Sequence, residues 1–473
     1  MITQTNVSSH MTAEVRYHMG YIWGISLVAA LGGLLFGYDW VVIGGAKPFY
    51  EKFFQLTAPS AQGWAMSCAL IGCLLGALLS GGLSDKFGRK RLLILSAFTF
   101  AVSSIGTGIA GAFSAFVVWR ILGGVAIGLA SNLSPMYIAE VSPASVRGKL
   151  VSINQLTIVI GILAAQLMNW LIAQPVPPDA SPLDILNSWN GQAGWRWMFG
   201  VTAAPSMLFL IGMFFVPESP RWLAKNGKPQ KAHQILARIG GADYADRTLA
   251  NIQDTLVNEI ERVNFRDLAE PRLARILFLG VFLAVLQQWC GINVIFNYAE
   301  EIFAAAGYRV SEILFNIVIT GVVNLLFTFV AIYTVDRLGR RLLMLAGLAG
   351  LSSLYVLIGA SYYLQTKGVH LLILVVAAIA CYGCTLAPVT WVILSEIFPN
   401  RIRGAAMSIS VFALWAGCFI LTYTFPFLNR ALGPAGAFSI YTAICICGFF
   451  FVKSRLPETK GQTLEQIEKD LVD

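Results

Sequence analysis

Charge is scarce in this chain. Asp, Glu, Lys and Arg together make up 12% of its 473 residues, about half the share of a soluble domain. Against 57% apolar residues, that scarcity excludes a string of soluble domains, because mostly apolar runs long enough to cross a bilayer recur along the sequence. Histidine is scarcer still: His10, His18, His233 and His370 all lie in tails, in loops or at the edge of an apolar run. Any proton handled inside the runs therefore falls to carboxylates. Disulfide and metal-ligand patterns are also missing. All eight Cys lie inside apolar stretches and read as small buried hydrophobes. Cys381 and Cys384 have ligand-like spacing but no second pair and no nearby His, so no metal and no cofactor is expected. The first nineteen residues carry no apolar core followed by a small-residue cleavage site, so no cleaved signal peptide is indicated. The formal charge of +8 is no nucleic-acid footprint, because the basic residues sit in short loops rather than on one folded face.

What is abundant is hydrophobic length. Twelve segments can cross a bilayer: 21–46, 62–83, 92–112, 115–138, 150–172 and 195–217, then 273–298, 312–334, 342–363, 370–395, 405–428 and 434–453. They must be helices, because backbone groups facing lipid have no water to bond. Gly72, Gly76, Gly123, Gly124 and Gly128 have the small-residue spacing that lets helix backbones approach. Lys86, Arg89, Lys90, Arg91, Arg147, Lys149, Arg337, Arg340, Arg341, Arg401 and Arg403 all fall in loops on one side. By the positive-inside rule both termini are cytoplasmic, in a multi-pass protein of the cell (inner) membrane. The expected organisation is an N-terminal six-helix bundle, 1–217, and a cytoplasmic linker of short amphipathic helices, 218–272. A C-terminal six-helix bundle, 273–456, and a cytoplasmic tail, 457–473, follow.

The two halves carry the same polar marks. Asp85, Gly88, Arg89 and Lys90 return as Asp336, Gly339, Arg340 and Arg341; the stretch from Glu140 to Arg147 returns from Glu396 to Arg403. Pro217-Glu218-Ser219 returns as Pro457-Glu458-Thr459. Two homologous membrane halves with matched hinges are the layout of a transporter that opens alternately to two sides. In mechanical terms, Arg89, Arg147, Arg340 and Arg403 are placed to reach Glu140, Glu218, Glu396 and Glu458 across the cytoplasmic surface. Such pairs, made when that side shuts and broken when it opens, would bias a two-state equilibrium.

Polar residues inside the apolar runs carry the rest. Asp39 lies deep in the first run, where a carboxylate costs roughly 3 kcal/mol on insertion scales. It should be paired or periodically protonated, and Arg120 in the fourth run is its candidate partner. A carboxylate shared between an Arg and a proton is a simple coupling device; a purely structural ion pair is the alternative. A neutral set comprises Gln155 and Gln166, then Gln287, Gln288, Asn293 and Asn297, and Asn324. Each amide both donates and accepts, which suits a polyhydroxyl solute, and Trp391 and Trp415 could pack against a ring face. Single amides could equally be glue between helices.

On Gly-Gly-Leu-Leu-Phe-Gly-Tyr-Asp39, Asp85-Lys-Phe-Gly-Arg89-Lys90, Pro217-Glu-Ser-Pro-Arg-Trp-Leu223, Gln287-Gln-Trp-Cys-Gly-Ile-Asn293, Asp336-Arg-Leu-Gly-Arg-Arg341 and Pro457-Glu-Thr-Lys-Gly461, the chain resembles the sugar porter family of the major facilitator superfamily. The likeness leans toward its bacterial proton-coupled xylose, arabinose and galactose transporters. It implies an all-α membrane protein with the major facilitator fold, twelve transmembrane helices in two pseudo-symmetric six-helix bundles. It implies a sugar held at Gln155, Gln287, Gln288, Asn293, Asn324, Trp391 and Trp415, and a proton site at Asp39 influenced by Arg120. Facilitative glucose carriers of the family have Asn at the place of Asp39, which favours symport. The chain departs from family patterns at Ile162, where the xylose carrier has Gln, and at Leu414, where relatives have Gln or Asn. Asn297 replaces a Tyr and Glu300 a Pro.

The expectation is proton-coupled import of a monosaccharide, pentose or hexose, by a chain functional as a monomer in a lipid bilayer. The alternatives are a facilitative uniporter and a sugar sensor that barely transports. An enzyme is not expected, since the second half holds no nucleophile–base grouping in a run.

Overall fold

A computed structural model describes residues 17–177, 180–258, 270–366, 368–398 and 403–460. The described residues form helices and no strands. Eleven helical stretches are long and apolar enough to cross a membrane. The first six are Met19–Phe53, Pro59–Phe87, Arg89–Ile109, Phe113–Val141, Arg147–Ile172 and Asn190–Phe215. The others are Pro271–Asn297, Val310–Val335, Arg340–Tyr363, Val369–Leu394 and Ala405–Arg455. The last, at 51 residues, is far longer than the roughly 20 that one crossing needs. It bends at Gly433 (φ 67°, ψ 177°) and so supplies two crossings, 405–432 and 434–455. The twelve expected spans are all present.

Their packing repeats between the halves. Span two lies on span four and span one on span five; span eight lies on span ten and span seven on span eleven. The halves meet through the corresponding pairs, two against eleven and five against eight. Small residues make these approaches possible. A Cβ added at Gly124 would sit 1.9 Å from the carbonyl oxygen of Ala69 on span two, and neither backbone can give way. Gly124→Val should therefore abolish a monodisperse folded species, read as loss of the symmetrical peak in size-exclusion chromatography, whereas Gly81→Ala, facing open space, should leave it intact.

Three short helices follow span six: Pro220–Lys225, Pro229–Gly240 and Ala242–Asn258, in agreement with the amphipathic pattern there. They hold the turn between spans two and three. The Trp222 indole donates to the Asp85 carbonyl at 2.9 Å, and Lys225 pairs with Asp85 at 3.1 Å. By the parity of crossings, the turns between spans two and three and between eight and nine share this linker face. The cytoplasmic tail expected over 457–473 lies, from 461 onward, outside the described residues.

Candidate functional site

Asp39 and Arg120 are brought together as expected. Span one packs against span four, and the Arg120 Nη1 donates to Asp39 Oδ1 at 2.5 Å with both side chains buried. The guanidinium also lies 5.3 Å from the ring of Phe199 on span six, a cation–π contact strengthened by exclusion of water. Burying both charges is tolerable because they neutralise one another. The second carboxylate oxygen of Asp39 has no protein partner among the described residues, so it can take a proton while the first still holds Arg120.

The amides cluster where span seven breaks. Its regular helix runs Pro271–Trp289, and the chain resumes as Ile292–Asn297 after Gly291 at φ 91°. Gln287 and Gln288 end the first segment and Asn293 lies in the second, all three buried. Gln287 donates to the Ala387 carbonyl of span ten at 3.2 Å, and Gln288 to the Gln287 side-chain oxygen at 3.4 Å. Asn293 donates to the Gln288 side-chain oxygen at 2.5 Å and lies 3.9 Å from the Cys418 sulfur of span eleven. Trp415, one turn before Cys418, is buried against Phe36 and Trp40 of span one, at ring distances of 5.6 and 6.1 Å. Asn324 on span eight is buried beside Gly383 on span ten. Gln155 is half-buried on span five, in the other half, with its amide free of protein hydrogen bonds among the described residues. Trp391 is 38% exposed and makes no hydrogen bond or ring contact with the others among the described residues; it lies one turn beyond Ala387, on the same side of span ten.

The linker-face pairs correct the sequence reading in part. Arg89 pairs with Glu140 at 3.0 Å and Arg340 with Glu396 at 3.1 Å. Glu218 and Glu458, expected to meet arginine side chains, instead accept from backbone. Glu218 Oε1 takes the N–H groups of Arg89, Lys90 and Ser219 at 3.0, 3.1 and 2.8 Å. Glu458 takes those of Arg340, Arg341 and Lys460 at 2.8, 3.1 and 3.0 Å. The reason lies in the turns. Gly88 and Gly339 hold φ of 94° and 93°, a conformation only glycine adopts freely, and each turn aims a fresh helix N-terminus at the glutamate. Orphan N–H groups and the helix dipole favour a carboxylate there. Arg147 is exposed and joins no ion pair of this network among the described residues, and the Arg403 side chain lies outside them. The pairs also join helices within one half rather than the two halves to each other. Glu218→Ala should cost about 2 kcal/mol, from the loss of hydrogen bonds to a charged acceptor, and lower the thermal unfolding midpoint, Glu218→Gln less so, while Arg147→Ala leaves it unchanged.

Contacts between the halves lie on the opposite face and in the middle of the membrane. The Val176 amide donates to Ser311 at 3.1 Å, Trp170 and Phe315 lie 5.7 Å apart, and Trp64 and Phe419 6.5 Å. The face opposite the linker is therefore closed. The sequence reading passed over Lys47, which is buried there among carboxylates of both halves. The signal was present, a lysine directly after the first apolar run and one helical turn before Glu51.

Comparison with known proteins places these features in context. The model of a family described as sugar (and other) transporter matches residues 25–471. The arabinose-proton symporter of Bacillus subtilis is 36% identical, over 99% of this chain and 98% of its own length. The D-xylose-proton symporter of Escherichia coli is 38% identical, over 96% of each. A solved structure of the Escherichia coli xylose transporter, in a partially occluded inward open conformation, superimposes with a TM-score of 0.83 at 36% identity, covering 94% of this chain and all of that one.

Proposed function

The chain belongs to the sugar transporter family, and from that premise we propose that it imports a monosaccharide, a pentose or hexose, together with a proton by alternating access. The observation that carries the reading is the buried Asp39–Arg120 pair, one carboxylate oxygen of which is free to take a proton. The linker face, with its Lys86, Arg89, Lys90, Arg91, Arg337, Arg340 and Arg341, is the cytoplasmic face of the cell membrane. Both termini lie on that side, and one copy of the chain suffices.

In the proposed cycle Asp39 takes a proton while the outer face is open. Neutralising it loosens its hold on Arg120, and the fourth span is freed to move against the first. Gln287, Gln288, Asn293 and Asn324 bind sugar hydroxyls from the second half, Gln155 from the first, and Trp391 and Trp415 pack against the ring. The outer face then closes into an arrangement like the one described. Sugar and proton leave on the cytoplasmic side, where the Arg89–Glu140 and Arg340–Glu396 pairs, with Glu218 and Glu458 holding the helix N-termini beside them, control the opening.

Proteoliposomes given an inwardly directed proton gradient test this. D-xylose or L-arabinose should accumulate above its external concentration, and a protonophore should reduce the ratio to about 1. Uptake that a protonophore leaves unchanged points to facilitative transport; a panel of pentoses and hexoses that shows no exchange overturns the substrate class.

A further inference from the structure

Lys47 sits on span one, eight residues beyond Asp39 toward the closed face, with its side chain 4% exposed. Glu51 of the same helix is 3.3 Å away. The others come from the second half, on the short helix Ala299–Ala305 that follows span seven: Glu300 lies at 3.6 Å and Glu301 is in direct contact. The ammonium also lies 5.8 Å from the Tyr298 ring. A buried ammonium without partners is untenable, so Lys47 can be packed there only while the second half brings its carboxylates up to it. Separation of the halves on this face would break the Glu300 and Glu301 contacts and leave Glu51 behind.

The charges do not balance. Three carboxylates, 14%, 20% and 24% exposed, surround one ammonium; the oxygens of Glu51 are met by Lys47 and by the neutral Gln62 amide, but one oxygen of Glu301 is buried with no hydrogen bond. The other groups near Glu301 offer no compensation. Tyr50 and Tyr298 are phenols, Lys52 is turned back onto the Pro48 carbonyl, and Asn429, across the small cavity beside Glu301, is neutral. A proton among the carboxylates relieves the excess. Glu301 lies beyond the end of span seven, and its carboxyl is pushed from 4.5 up to about 7 by burial, against the pull of Lys47 and with the help of Glu300 and Glu51.

We propose that Lys47 and the Glu300–Glu301 pair form the outer gate, and that closing it binds one extracellular proton among these carboxylates. The inference rests on the alternating-access reading and its orientation, but this proton is not cargo, for it returns outside when the gate reopens. The sign follows from linkage. The open gate exposes a carboxyl of ordinary affinity and the closed gate one of raised affinity, so closure is fully favoured below about pH 4.5 and loses that advantage as pH rises to about 7. Within that window the closed-to-open ratio falls about tenfold per pH unit.

The test uses spin-label distances between S60C and A305C, both at exposed positions on that face, in nanodiscs. The eight native cysteines are replaced by Ser, and the measurement is made in a D39N background, so that any remaining pH dependence is not that of Asp39. The short-distance population should fall about tenfold relative to the long one per unit between pH 5 and 7. E301Q, a neutral mimic, should stay closed with that dependence flattened; K47M should shift the ratio at pH 6 at least tenfold toward the long distance; and K47E/E301K should recover it. A K47M distribution equal to that of the parent overturns the gate, and an E301Q titration as steep as the parent's overturns the proton assignment. Neither readout involves transport, so failure of symport is seen separately.

Discussion

Asp39→Asn should abolish uphill accumulation while sugar exchange survives. For one proton per sugar, a gradient of two pH units supports at most about 100-fold accumulation, since each unit is worth 1.36 kcal/mol. The variant should reach a ratio of about 1, with radiolabelled counterflow in proteoliposomes still measurable. The geometry gives the reason. Arg120 Nη1 is held by Asp39 Oδ1 at 2.5 Å, and an Asn side chain keeps an oxygen acceptor for it while losing the charge that a proton would otherwise cancel. Fold and sugar site are spared, and only the dependence on the proton is lost. Arg120→Leu makes the contrasting case. It strands a buried carboxylate, at a cost of about 3–5 kcal/mol, and should sharply lower the thermal midpoint; D39N/R120L should recover most of the loss. If D39N still concentrates sugar, Asp39 is not the coupling acid.

Gln288→Ala and Asn293→Ala should each weaken sugar binding about 10- to 100-fold, the effect of removing one partner of a buried hydrogen bond at about 1–3 kcal/mol. Asn293 donates to the Gln288 side-chain oxygen, so each orients the other. The double variant should therefore lose less than the sum of the two single losses, a coupling that a cycle of the four proteins measures directly. Isothermal titration with the transported sugar gives the Kd values. Proton-independent exchange at saturating sugar should change far less, because in the proposed cycle the amides act on binding and Asp39 on coupling. Additive losses would mean that the two amides bind independently.

Much of this protein was determined by its sequence alone. A bilayer admits only helices with their backbone groups satisfied, so apolar length and loop charge were enough to define twelve spans. The duplicated marks revealed two halves because homologous turns need the same residues, Gly88 and Gly339 above all. Asp39 stood out because a buried carboxylate is costly wherever the chain places it. Pairing was a different matter. Sequence listed arginines and glutamates in plausible reach, but one carboxylate resembles another, and choice among them is made by where helix ends point. Only the tertiary structure gave Glu218 and Glu458 to the N-termini of spans three and nine and left Arg147 in solvent. It alone brought Lys47 to Glu300 and Glu301, some 250 residues away along the chain, because that contact depends on how the helices of the two halves pack on one face.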